Sequence, residues 1–194
     1  MNSILTLSDQ LIIGKGRDRI CFAHPEFRDL CIKVALRPEK QTRREKRYFH
    51  YLKQKCKDLG KLAPYLGKVE TNLGSGAVFP RVLNDDGTPA HNLTYAIRNG
   101  LLNDTLIDAQ LVTLKQYLLD NAICVRDVSP SNIMCKEYEQ GYNFMLVDGV
   151  TNPGINPLNV RIKYLARRSV RSAWPSLERK VNRLRKEREH SAEK

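Results

Sequence analysis

The sequence predicts an α+β fold in two small lobes. Short apolar runs rich in β-branched residues, separated by glycine turns, fill the first part of the chain. A single charged segment with helical spacing follows the third run, and helical patterns dominate the later part. At 194 residues the chain buries roughly 70% of its unfolded surface, so no disulfide or metal staple is required. The expected division is residues 1–83, an antiparallel sheet plus one helix, and residues 84–194, a reduced lobe carrying the chemistry-bearing loops and a basic C-terminal helix.

Each element has its own signal. Leu11-Ile12-Ile13, Arg19-Ile20-Cys21-Phe22 and Leu30-Cys31-Ile32-Lys33-Val34 read as strands, with the turn-forming stretch Gly14-Lys15-Gly16-Arg17-Asp18 between the first two. Pro38 precedes a helix over 39–57, in which Tyr48, Phe49, Leu52 and Cys56 recur at helical spacing. Val69-Glu70-Thr71 and Ala77-Val78-Phe79 form a further strand pair around Gly74-Ser75-Gly76. Turns are expected at Asn84-Asp85-Asp86-Gly87 and Asn99-Gly100, and a helix from Asp108 to Asp120 with Leu111, Leu114 and Leu118 on one face. A strand–loop–strand stretch covers 123–134, and a hairpin over 133–147 turns near Gln140-Gly141. From Pro157 the chain reads as helical, with Pro175 suited to a first helical turn.

Lys and Arg outnumber Asp and Glu by 33 to 21, a formal +12, which favours an anionic partner without choosing one. The excess is confined to two segments, net +7 over 37–57 and net +8 over 161–194, while the rest is net −3. In the second segment Leu177, Val181 and Leu184 alternate with Arg179, Lys180, Arg183, Arg185, Lys186 and Arg188, an amphipathic helix whose apolar stripe is expected to dock on the core. An acidic protein partner is allowed; nucleic acid is disfavoured but open, since aromatics are few in the basic runs and no recognised binding motif occurs. No apolar stretch reaches the ~20 residues of a membrane span. No secretory signal is evident, and Cys21, Cys31, Cys56, Cys124 and Cys135 show no CxxC spacing. The expectation is a cytoplasmic protein with buried reduced thiols and no structural zinc.

Five features carry chemistry, each with an ordinary structural alternative. Gly14 and Gly16 at a strand end suit close approach of backbone N–H groups to a polyphosphate, although a G-x-G pair is commonly a plain hairpin. Lys33 lies in an apolar strand and could reach phosphates or point to solvent. Glu45 could keep that lysine charged, or sit on a solvated helix face beside an arginine. In Arg126-Asp127-Val128-Ser129-Pro130-Ser131-Asn132 a loop can set a carboxylate beside a substrate hydroxyl and an amide oxygen beside a metal. Finally, the apolar run Phe144-Met145-Leu146-Val147 delivers Asp148 into a turn at Gly149, where its oxygens would suit Mg²⁺.

In this order the residues resemble the protein-kinase-like phosphotransferases, over about residues 10–150. Thr71-Asn72-Leu73-Gly74-Ser75-Gly76 and Arg126-Asp127-Val128-Ser129-Pro130-Ser131-Asn132 carry a closer similarity to the bacterial YrbL family, named for the PhoP regulatory network. The resemblance implies a minimal two-lobed kinase-like fold with a truncated helical C-lobe, ATP and Mg²⁺ as cofactors, and a place in bacterial signalling or stress regulation. It assigns Gly14 and Gly16 to the phosphates, with Cys21 over the adenine. Lys33 would hold phosphate oxygens and pair with Glu45, Asp127 would serve the acceptor hydroxyl, and Asn132 and Asp148 would hold Mg²⁺. The stretch Val78-Phe79-Pro80-Arg81-Val82 would be the hinge.

The chain departs from the kinase pattern at several points. Arg19 replaces the third loop glycine, Val125 the loop histidine and Ser129 the loop lysine, and Gly149 follows Asp148 directly. No Ala-Pro-Glu element occurs in the 45 residues after Gly149. A phosphotransferase acting on an unknown hydroxyl acceptor is the leading expectation. A pseudokinase or adaptor working through its basic surfaces is the alternative, and a basic nucleic-acid binder the third.

Overall fold

The computed structural model describes residues 4–36, 40–55, 57–151 and 163–192. Five antiparallel strands form the first sheet: β1 (Ile12–Lys15), β2 (Arg19–Ala23), β3 (Leu30–Ala35), β4 (Gly67–Thr71) and β5 (Gly74–Pro80), in the order β1-β2-β3-β5-β4. The hairpins expected from the glycine turns are all present, each strand within a few residues of its sequence signal.

Strand alternation sorts the side chains to two faces. Phe22, Ile32 and Val34 pack with Leu7 on one face. Cys31, Ala77 and Phe79 enter the main core on the other. Register places Arg19 opposite Ala35 and Cys21 opposite Lys33, so all four lie on that second face. At Gly76 the sheet needs a glycine, because a Cβ there would overlap the Ile32 side chain.

The second face is covered by α1 (Lys40–Gln54), whose Glu45, Tyr48, Phe49 and Leu52 are buried at i, i+3, i+4, i+7 spacing. Glu45 therefore belongs to the inward stripe and not to a solvated face. Pro38 and Cys56 lie outside the described residues.

The rest of the chain contains α2 (Leu93–Arg98), α3 (Asp104–Asp120) and α4 (Lys163–Ala192), with a small sheet of β6 (His91–Asn92), β7 (Ile133–Tyr138) and β8 (Gly141–Leu146). Helix α2 has no counterpart in the sequence reading. It is one and a half turns long, too short for a periodic signal, and starts from an Asn92 cap that accepts a hydrogen bond from Tyr95 N–H. Helix α3 begins four residues before its expected start because Asn103 caps it through Leu106 N–H. In the 123–134 stretch, one isolated bridge, Val125 to Val150, and a 3-10 turn at Pro130–Asn132 stand where a strand–loop–strand was expected; only β7 is a strand.

Helix α4 docks as its amphipathic pattern predicts. Ala166, Val170, Trp174, Leu177, Val181 and Leu184 are buried, and the helix packs on α2 and α3. Arg185 and Arg188 pair with Asp108 and Asp104 on α3 at 2.8 and 3.1 Å. Pro175 is a correction: it sits inside this 30-residue helix, not in its first turn. The neighbouring Trp174 and Leu177 bury about 1.5–3 kcal/mol each, which offsets much of the hydrogen bond the proline removes. The start expected at Pro157 falls outside the described residues. One core cluster runs continuously from Cys31 and Phe79 in the first sheet to Leu184 in α4.

Candidate active site

The loop carrying Asp127 is held by backbone bonds from several elements. Cys124 N–H donates to the Tyr48 hydroxyl of α1 at 2.6 Å, and Val125 N–H to Ser169 Oγ of α4 at 3.1 Å. Arg126 N–H donates to Gly149 O and Val147 N–H to Asn132 O, both at 2.9 Å. The Asp127 and Asp148 segments are thus stitched at both ends. Gly149 permits this: its φ is +82°, and a Cβ would overlap the Asp127 carbonyl oxygen.

The electrostatic centre is Arg19. Its guanidinium grips both oxygens of Glu45 at 2.6 and 3.0 Å and also donates to Asp148 Oδ2 at 2.7 Å. The Arg19 and Glu45 side chains are only 7% and 4% exposed, so two charges are desolvated together. Burial alone would lower the arginine pKa; Asp148 and then Glu45 outweigh it and raise the value. At Asp148 burial pushes the carboxyl up, but Lys33, Arg19 and the Gly149 N–H overcome this and bring it down to about 2. At Glu45 burial dominates and pushes the carboxyl up, against the pull of Arg19. Two acids sharing one guanidinium do not benefit equally.

This arrangement corrects the expectation that Lys33 takes Glu45. The Lys33 ammonium instead donates to Val147 O at 2.7 Å and lies 4.4 Å from the centroid of the Phe79 ring. It reaches across from β3 to the residue preceding Asp148. Arg19, read from the sequence only as a lost glycine, supplies the Glu45 pair. Its guanidinium offers a planar fork where an ammonium offers a point charge, which suits a bidentate carboxylate. The signal was present in the strand pattern, since Arg19 alternates with Cys21 onto the face of Lys33.

Around these residues lies a cleft of about 1060 Å³. Gly14, Gly16, Cys21, Lys33, Asp127, Asn132 and Asp148 all line it, so seven of the eight residues singled out from the sequence converge. Glu45 does not line it and acts through Arg19, which does. Seven Lys or Arg side chains and three Asp line the walls, a balance that favours an anion. In the hinge stretch Arg81 N–H donates to Asp29 O at 2.7 Å, and Val82 O accepts from Ala90 N–H at 3.1 Å. Those two groups are committed to the protein.

The Asp127 carboxylate is 68% exposed at the cleft mouth, with Lys180 Nζ of α4 at 3.5 Å. Neither Lys180 nor Ser169 was indicated by the sequence. Each comes from a helix some 40 to 50 residues away that reaches the loop only through tertiary packing.

The donors available for a cation are the Asn132 amide oxygen and the Asp148 carboxylate. Hard oxygens of this kind fit Mg²⁺, which takes one or two protein ligands together with phosphate and water. Arg19 and Gly149 N–H already use part of the Asp148 acceptor capacity, so a cation there competes with Arg19. No cluster of three or more His, Cys, Asp or Glu residues able to hold a metal occurs among the described residues. No helix among them is long and apolar enough to cross a membrane.

Comparison with known proteins bears on the fold and the family. The kinase domain of Mycobacterium tuberculosis PknI, in a crystal structure of its C20A_R136A double mutant, superposes with a TM-score of 0.52 at 14% identity. The match covers 77% of this chain and 61% of that kinase domain, so it shows the fold alone. YrbL of Escherichia coli (strain K12) is 31% identical over 178 residues, covering 88% of this chain and 85% of that protein. YrbL of Shigella flexneri matches to the same extent. Residues 5–182 match the pattern of the family described as PhoP regulatory network protein YrbL, and the chain belongs to that family, on a protein-kinase-like α+β fold.

Proposed function

We propose that the chain is a kinase-like phosphotransferase that takes ATP with Mg²⁺ and passes the γ-phosphate to a hydroxyl acceptor. The single observation that supports this best is the convergence of Lys33, Asp127, Asn132 and Asp148 on one cationic cleft beneath the Gly14–Gly16 hairpin. Its volume is in the range of small-molecule sites, and its charge suits a polyphosphate.

Lys33 is the phosphate-binding cation. It reaches into the cleft already desolvated by Phe79 and anchored at Val147 O, so little ordering remains when phosphate arrives. Gly14 and Gly16 let the β1–β2 hairpin lie close over the phosphates. Asp127 orients the acceptor hydroxyl and receives its proton as the oxygen attacks; the proton then passes to solvent, which reaches this exposed carboxylate. Asn132 and Asp148 would hold Mg²⁺, which when bound neutralises phosphate charge. Lys33 and Arg19 keep Asp148 ionised, and Arg19 ties it to α1. The test is phosphate transfer from labelled ATP, to the protein itself or to added hydroxyl compounds. Transfer that disappears in Asp127→Asn supports the reading, and transfer unchanged in that variant removes it.

One observation favours a second reading, a nucleotide-binding adaptor without transfer. The guanidinium that sits on Asp148 occupies a carboxylate the reaction would use. Under that reading ATP binds with no transfer, and the basic surfaces of α1 and α4 engage an acidic protein.

A further inference from the structure

Two thiols sit in the same cleft, and neither reacts in the proposed phosphoryl transfer. Cys21 on β2 lies opposite Lys33, and Cys31 on β3 lies opposite Ala23, two residues further along. Alternation puts both sulfurs on the cleft face, and both line the cleft. Cys31 is 5% exposed, whereas Cys21 is only half-buried. Gly14 faces Cys21 from β1 and carries no side chain to cover it.

The surroundings favour a negative sulfur at Cys21. Lys33 faces Cys21 across the ladder, Arg19 stands two residues before it on the same face, and Cys31 lies diagonally opposite. Cys31 Sγ donates to Pro80 O at 3.8 Å. Led by the neighbouring Cys31 thiol and helped by Lys33 and Arg19, against burial and the Asp148 carboxylate, the Cys21 thiol is brought down to about 7. Cys124 and Cys135 are fully buried; burial pushes the first up and the second to about 12. Only Cys21 among the described cysteines combines access with cationic neighbours.

We propose that Cys21 is a peroxide-reactive modification site, its thiolate stabilised by Cys31 and open to solutes through the cleft. The thiolate attacks one oxygen of hydrogen peroxide, an S–O bond forms and the O–O bond breaks. The leaving hydroxide takes a proton from solvent as water, and Cys21 is oxidised to the sulfenic acid while the peroxide is reduced.

The test uses the full chain without nucleotide, so its outcome is separate from that of the phosphotransferase reading. Protein is exposed to hydrogen peroxide at several pH values and quenched. The remaining thiols are labelled with iodoacetamide after unfolding and mapped by peptide mass spectrometry. Cys21 is expected to lose its thiol at least tenfold faster than Cys124 and Cys135, with a rate that is half-maximal near pH 7. Cys31→Ala should slow the loss at pH 7 by about tenfold or more, since the thiolate fraction falls as the pKa returns toward its ordinary value. Cys31→Ser, which keeps a donor, should restore most of the rate. Loss at Cys21 no faster than at Cys124 and Cys135 overturns the proposal, as does a Cys31→Ala rate equal to that of the unaltered protein. If Cys31→Ala does not fold, the comparison within the unaltered chain still decides.

Discussion

Arg19 and Asp148 meet across the cleft at 2.7 Å, joining the first residue of β2 to the carboxylate that follows β8. The same guanidinium holds Glu45 of α1. One side chain therefore sets the relative position of sheet, helix and Asp148 turn. A helix glutamate, a strand cation and a metal-type aspartate were expected to meet here. The cation that joins the two acids is a different residue from the one anticipated.

Removing Arg19 leaves Glu45 buried without its guanidinium. Arg19→Met is expected to destabilise the fold by about 3–5 kcal/mol, because breaking a buried ion pair by removing one partner costs far more than the pair contributes. Arg19→Lys should recover only part of this, having no planar fork. The double variant Arg19→Met with Glu45→Leu should be more stable than Arg19→Met alone. Denaturant unfolding of the three proteins checks the order.

The pH dependence follows from the two acids. Asp148 is lowered from 3.8 to about 2, so the unfolded chain binds its proton more readily than the folded one. Its contribution is complete above about pH 4 and is lost as the pH falls through 2; the shift corresponds to about 2 kcal/mol. Glu45 is raised, so its share runs the other way, present at low pH and lost as pH rises through its folded value. Asp148→Asn should therefore flatten the loss of stability between about pH 4 and 2, measured by thermal melting across that range. An unchanged acid limb would contradict the assignment.

Gly149→Ala places a Cβ against the Asp127 carbonyl oxygen at a positive φ. The expected cost is more than about 2 kcal/mol, combining left-handed backbone strain with an overlap that only movement of the Asp127 loop can relieve. Gly141→Ala, also at positive φ but with nothing near its Cβ, should cost less. Thermal melts of the two variants isolate the loop contact from the backbone term.

Helix α4 supports the loop backbone through the Ser169 hydroxyl. Ser169→Ala removes the acceptor of Val125 N–H, leaving a buried donor at an expected cost of about 1–3 kcal/mol. Ser169→Thr keeps the hydroxyl and should cost less. Amide hydrogen exchange at Val125 should accelerate in the alanine variant.

What the sequence revealed depended on the range of the interaction. The strands around Gly14–Gly16 and Gly74–Gly76 and the stripe of α1 are written in local spacing, and the structure follows them. The clustering of Lys33, Asp127, Asn132 and Asp148 was legible because their order along the chain resembles the kinase-like pattern, and all four line one cleft. Arg19 was misread because its meaning lies in sheet register. The helix at Leu93–Arg98 escaped because a capped turn of six residues has no period. Ser169 and Lys180 escaped because a helix face that docks a loop looks, in sequence, like any other polar face.

The most direct test of the central claim is a calorimetric titration of the full chain with ATP, with and without Mg²⁺, alongside Lys33→Met and Asp148→Asn. Binding that strengthens with Mg²⁺ is predicted, weakened roughly tenfold or more by Lys33→Met as a charge-assisted hydrogen bond is lost, and made insensitive to Mg²⁺ by Asp148→Asn. A folded protein that binds no ATP, or binds it equally in all three forms, would contradict the account.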